Sequence, residues 1–240
     1  MFYFLRPSAF ALLLVLFLGV GFSFSAAQAE DAPLEITADQ DLEWNQTAKS
    51  YTARGNAVAK QSDFSVAGQL LIAEYAGVDG STSDLIKVTA EGKVVILSSS
   101  VEAQSDRAEG ERAVYDIANQ VVVLTGSPSS KPMVSRGKDT LVANEIKVFL
   151  ENAVMKRAEA YGSVVISTDG EQKASGDKAT FDKASNIAEL IGNVKIMQGF
   201  NWIEGDYAKM NLTTKVSTIS GKKNRPRVKG IFYPSSGKKK

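Results

Sequence analysis

From Ala188 to Ile196 the chain reads AELIGNVKI, with Ala188, Leu190, Gly192, Val194 and Ile196 on one phase and Glu189, Asn193 and Lys195 on the other. Thirty positions earlier AEAYGSVVI (Ala158–Ile166) keeps the same phase, with Ala158, Ala160, Gly162, Val164 and Ile166 opposite Glu159, Tyr161 and Ser163. A period of two over nine residues predicts a strand with one dry face, whereas a helix would need apolar residues at i, i+3 and i+4. The segment EIKVFLENAVMKRAEA looks helical by composition but aligns with the same unit, so it reads as strand, turn and strand.

The pattern recurs along the chain. Glycine anchors fall at Gly55, Gly92, Gly126, Gly162, Gly192 and Gly221, separated by 37, 34, 36, 30 and 29 residues. Each is preceded by a large apolar or aromatic residue, namely Trp44, Tyr75, Tyr115, Phe149, Phe181 and Met210. Between the two anchors lie polar turns such as NQTAKS, IANQ, KASN and LTTK, whose Asn and Thr residues favour reversals. Each unit is therefore two strands with a glycine inside the second. A glycine in mid-strand weakens the strand unless the backbone must bend there. Repeated in register, it predicts that every rung turns at one line, creasing the sheet.

Six such units predict about twelve strands or more, none able to close a core alone, so the rungs must stack. The expected fold is all-β, an elongated antiparallel β-jelly-roll or V-shaped stack, with a parallel β-helix as the alternative. No capping helix is legible at either end of the repeats, and open strand edges in a stack invite pairing with another chain.

Composition narrows the chemistry. The chain has 240 residues, no cysteine and no histidine. This removes Cys–His and His-containing catalytic sets and the usual zinc and copper sites; no cofactor or metal is expected. The acids Asp39, Glu111, Asp177 and Asp206 recur at equivalent places near strand starts, which suits a repeated structural role better than a unique catalytic pair. Residues 1–29 read as a secretory signal: Arg6, an apolar run over Ala9–Phe22, and small residues at Ala27 and Ala29, with cleavage expected after Ala29. The mature chain is expected to be a single domain over 30–234 with a basic tail over 235–240. Charge is lopsided: residues 221–240 hold eight cations and no acid, while 30–220 hold 19 cations against 27 acids. An end segment of that kind suggests an anionic partner or surface.

The stretches ITADQDLEWNQTAKSYTARGNAVAKQ, LVANEIKVFLENAVMKRAEAYGSVVIST, ASGDKATFDKASNIAELIGNVKIMQG and RVKGIFYP resemble the LptA/OstA-like family of periplasmic lipopolysaccharide-transport proteins, over nearly all of residues 36–234. The resemblance implies a taco-like β-jelly-roll whose interior holds the acyl chains of lipopolysaccharide. It implies a non-enzymatic carrier located in the periplasm. It also implies head-to-tail joining by strand addition, to copies of itself and to inner-membrane LptC-like and outer-membrane LptD-like proteins; no nucleic acid is implied. The dry phase then names the expected groove: Val94, Ile96, Val122, Leu124, Val164, Ile166, Leu190, Val194 and Ile196, together with Phe149 and Phe181. From the residues alone, two readings of that face stay open, a lipid groove or a filled core in a structural, adhesin-like scaffold. A polysaccharide-acting enzyme is the least favoured alternative. Whether Trp44, Tyr115, Phe149 and Phe181 line the groove edge or pin the turns also stays open.

Overall fold

Sixteen antiparallel strands form one hydrogen-bonded sheet in the computed structural model, which describes residues 34–61, 64–77, 85–99, 105–151, 154–168, 172–214, 216–221 and 227–233. The expected signal segment, residues 78–84 of the second repeat, and most of the basic tail lie outside the described residues. In chain order the strands are β1 (Glu35–Thr37), β2 (Asp41–Asn45), β3 (Ser50–Gln61), β4 (Phe64–Tyr75), β5 (Leu85–Ser99), β6 (Ser105–Asp116), β7 (Val121–Thr125) and β8 (Met133–Arg136). They continue as β9 (Asp139–Val142), β10 (Glu145–Glu151), β11 (Val154–Ser167), β12 (Gln172–Asp182), β13 (Ile187–Gln198), β14 (Asn201–Asn211), β15 (Val216–Ser220) and β16 (Lys229–Ile231). The segment with helical composition is the β10–β11 hairpin, as its alignment with the repeat requires.

The sheet is creased along one line, and the glycines make the crease. Between β3 and β4 the pairing passes from Arg54↔Leu70 to Ala57↔Gly68, so Gly55 and Asn56 oppose the single residue Gln69. The same two-against-one step occurs at Gly92–Lys93, Gly162–Ser163 and Gly192–Asn193. All four glycines are left-handed, with φ between 75° and 79°, and the residue after each is left-handed too. Two successive positive φ values turn the strand sharply. Glycine carries the first without steric cost, and the asparagines at 56 and 193 tolerate the second.

Two arms result. The first runs β2, then one part each of β3, β4, β5 and β6, then β7, β10, one part each of β11 to β14, and finally β15. The second runs β1, the other parts of β3 to β6, then β8, β9, the other parts of β11 to β14, and β16. Eight long strands cross the crease and belong to both arms; short strands fill the middle and the ends. This is why sixteen strands stand where the repeat predicts about twelve: each arm carries a ladder of twelve segments.

Gly126 and Gly221 do not share the crease. Gly126 follows the end of β7, and a Cβ there would sit 2.1 Å from the Ser130 carbonyl oxygen, so this glycine permits a close backbone approach. Gly221 follows β15, which stops short of the crease. At both places a strand of the first arm has just ended, so the anchor glycine marks a strand end.

The core lies inside the crease. Ala57, Val94, Val164 and Val194, the first inward residues past the four bulges, are at most 1% exposed. Charge stays outside in cross-strand pairs such as Arg54 with Asp41 and Glu43, Lys87 with Glu74, Arg112 with Glu91, and Lys195 with Glu204. Buried charge among the described residues includes Arg136 on β8, which grips Asp106 on β6 through two bonds of 2.5 Å with both side chains largely buried, and Asp139 on β9. The Arg136–Asp106 pair clamps the second arm where that arm passes from the first four long strands to the last four.

Candidate functional site

The acids at equivalent positions buttress the crease. Asn56 Nδ2 donates to Asp39 Oδ2 at 2.7 Å, and Asn193 Nδ2 donates to Asp177 Oδ2 at 2.8 Å. A polar side chain sits under each of the four crease glycines: Gln40, just before β2, under Gly55; Gln69 of β4 under Gly92; Asn144, just before β10, under Gly162; and Asp177 of β12 under Gly192. At each of these positions a Cβ would lie within 2.8 Å of that side chain. Glycine is thus required twice, for its φ and for space. Glu111 and Asp206 occupy the single position opposite a bulge. Sequence alone marked the acids as recurrent but gave no sign that Gln40, Gln69 and Asn144 play the same part.

Between the arms of the first half lies a partly open cavity of about 360 Å³. Both arms line it: Tyr51, Ala53, Leu71, Ala73, Val88, Ala90, Tyr115, Val122, Ile146 and Val148 from the first; Ile36, Ala59, Val66, Ile96, Ala108 and Val134 from the second. Leu34, Leu42, Gln61, Phe64, Ile72, Leu85, Ala113, Ile117, Leu124 and Leu150 complete the wall. Gln61 is the only lining side chain with an amide, and none is charged. The space can shelter hydrocarbon, and its lining holds no carboxylate, lysine or arginine. Among the described residues no group of His, Cys, Asp or Glu could hold a metal ion.

The expected groove residues divide. Ile96, Val122 and Leu124 line the cavity. Val94 is sealed at the crease beside it. Phe149 sits between the lining residues Val148 and Leu150 on the alternate phase, where the Arg157 guanidinium lies 4.1 Å from its ring centroid. Val164, Ile166, Phe181, Leu190, Val194 and Ile196 all belong to β11–β13, at 0–4% exposure, and none lines this cavity. Of the other aromatic anchors, Tyr115 lines the space. Trp44 stacks on Tyr51 at 5.8 Å and donates from Nε1 to the Tyr75 hydroxyl at 2.9 Å, forming an aromatic step at the β2 edge.

Side-chain size differs between the halves at equivalent positions, in both directions: Leu71 and Tyr51 stand where Ala179 and Ala158 stand, while other places are smaller in the first half. Where β3 has Ala57 and Ala59, the equivalent places of β11 hold Val164 and Ile166. Ala73 and Ala90 stand where Phe181 and Leu190 stand in the second half. On the ladder that carries Ala73, the first half places its bulk at Tyr51 and Tyr115, and both rings line the space. Burial pushes the Tyr115 hydroxyl's pKa up, so it stays neutral.

A creased antiparallel sheet with an apolar, solvent-reachable interior defines an all-β protein of the β-jelly-roll class. The family model described as "LptA/(LptD N-terminal domain) LPS transport protein" matches residues 35–131 and 133–216. The chain belongs to that family, one of lipopolysaccharide-transport proteins. Among solved structures, the crystal structure of LptH, described as the LptA homologous periplasmic component of the lipopolysaccharide transport device from Pseudomonas aeruginosa, is similar at 14% identity. That match covers 86% of this chain and 99% of that one, with a TM-score of 0.24, and the family assignment rests on the family model alone. No curated protein matches the sequence significantly.

Proposed function

We propose that this chain is an exported periplasmic carrier that shelters lipopolysaccharide acyl chains between its arms and hands them along a bridge of strand-paired proteins. The observation that carries the reading is the uncharged cavity of the first half, reached by both arms. Each methylene withdrawn from water is worth about 0.8 kcal/mol, so even part of one acyl chain gives a useful affinity. The sugar and phosphate groups stay outside, because the lining carries no charge to meet them.

The ends support the bridging part of the proposal. β2 and β15 are the terminal strands of the first arm, with Leu42 57%, Trp44 50% and Val216 60% exposed. Terminal strands with free backbone groups accept another strand. LptC-like and LptD-like proteins, or a second copy head to tail, are the partners proposed, over a single domain at 30–234.

A photocrosslinker tests the groove at adjacent positions of β5. Ile96 faces the cavity and should label lipopolysaccharide, whereas Val95, on the other phase, should not. Labelling from Val95 alone would overturn the reading. Crosslinkers at Ile166 and Ile196 ask whether the cargo also reaches the second half. For the bridge, deletion of Arg227–Tyr233 should lower the mass found by light scattering; an unchanged mass removes that end from the contact.

A further inference from the structure

The last rung carries an exposed aromatic and cationic rim that the groove does not use. The β13–β14 turn ends on Phe200, which is 86% exposed, beside Gly199, which has nothing within 4 Å of where a Cβ would stand. Tyr233 meets Phe200 edge-on at 6.3 Å, and its backbone N–H donates to Asn201 Oδ1 at 2.8 Å, fixing the end of the chain against this turn. Phe232 is 64% and Tyr233 61% exposed. Lys195 on β13 and Lys229 on β16 each place Nζ 5.0 Å from the ring centroid of Trp202 on β14. Arg227 adds a third cation, and Glu204, paired with Lys195, is the acid among these residues. Residues 221–240 contain eight cations and no acid.

Rings projecting into open space beside three cations that share one carboxylate suit the boundary between lipid headgroups and acyl chains. There an aromatic ring keeps both an apolar and a wet side, while lysines meet phosphate. We infer that this rim is an interfacial anchor that seats the C-terminal end of the molecule on an anionic phospholipid surface. Charge complementarity selects that occupant. The inference does not depend on what the groove carries, but it competes with the bridging contact proposed at Arg227–Tyr233, and light scattering beside vesicle binding separates the two.

The test is co-sedimentation of the full mature chain with vesicles of phosphatidylcholine alone and of phosphatidylcholine mixed with phosphatidylglycerol. Binding is expected only to the mixed vesicles, and it should fall with added salt. The double substitution Phe200→Ser with Tyr233→Ser should weaken it by roughly tenfold or more, and Lys229→Gln by roughly fivefold. Circular dichroism and lipopolysaccharide labelling from Ile96 should stay unchanged, since neither residue touches the crease or cavity. Absence of binding, or equal binding by the double variant, overturns the anchor. So does loss of binding only on removing Lys238–Lys240, which would mean adsorption by the tail. A double variant that alters only self-association by light scattering would make the rim a contact between copies, and the anchor would again fail.

Discussion

The two halves of the sheet share one backbone plan and differ in what fills it. β3–β6 and β11–β14 carry matching glycine bulges with φ values within a few degrees of one another. Yet inward residues of the first half, such as Ala59, Val88, Ile96, Tyr115 and Val122, remain partly exposed, whereas Ile166, Ala174, Phe181, Leu190 and Ile196 are buried. The crease sets the shape of both halves, and side-chain volume at equivalent positions distinguishes the half that holds the described cavity. A repeat protein can therefore place a cavity in one stretch of a uniform scaffold by trading valine, isoleucine and phenylalanine for alanine at few positions.

That comparison can be broken. The largest effect is expected at the clamp between the halves. Asp106→Ala removes the carboxylate that takes both short bonds from the buried Arg136 and should cost about 3–5 kcal/mol in denaturant unfolding, the range for breaking a buried ion pair by deleting one partner. Phe181→Ala should be nearly as costly, about 3–5 kcal/mol, because it empties a packed site. The reciprocal Ala73→Phe should fill existing space, change the unfolding midpoint little, and reduce lipid labelling from Ile96. If both substitutions destabilise equally, the halves do not differ as described.

At the crease, Gly192→Ala should cost roughly 1–2 kcal/mol for the left-handed backbone alone, and more for the crowding against Asp177. Removing that crowding partner with Asp177→Ala loses the bond to Asn193 and should cost about 1 kcal/mol.

The smallest effect concerns pH. Burial, with the neighbouring Glu189 carboxylate that accepts the Tyr207 hydroxyl proton at 2.5 Å, pushes the Tyr207 pKa up to about 12. A pKa raised on folding means the neutral form is favoured in the fold. The stability it contributes is present below the ordinary value of 10.0 and is lost as pH rises towards 12. Tyr207→Phe should remove this share of the alkaline loss in melting curves taken across that window.

Much of the fold could be read directly, because alternation has a period that no other element imitates. The strands at Ala158–Ile166 and Ala188–Ile196, the β10–β11 hairpin and the crease at four of the six glycines follow from residue pattern. Gly126 and Gly221 follow a different rule, because the signal that marks a bulge also marks a close approach or a strand end. Phe149 likewise lies on the phase opposite Val148 and Leu150. The irregular spacing of the fourth repeat, with a register shift between Phe149 and Leu150, obscures the parity that alternation alone would assign.

By itself the sequence determined a period-two chain, a glycine where each long rung must turn, and charge excluded from one phase, since these depend on local backbone and solvation preferences. Only the tertiary structure decided where space remains. A void is a difference between volumes contributed by strands far apart in the chain, so Ala57, Ala73 and Ala90 acquire meaning only when the two arms face each other.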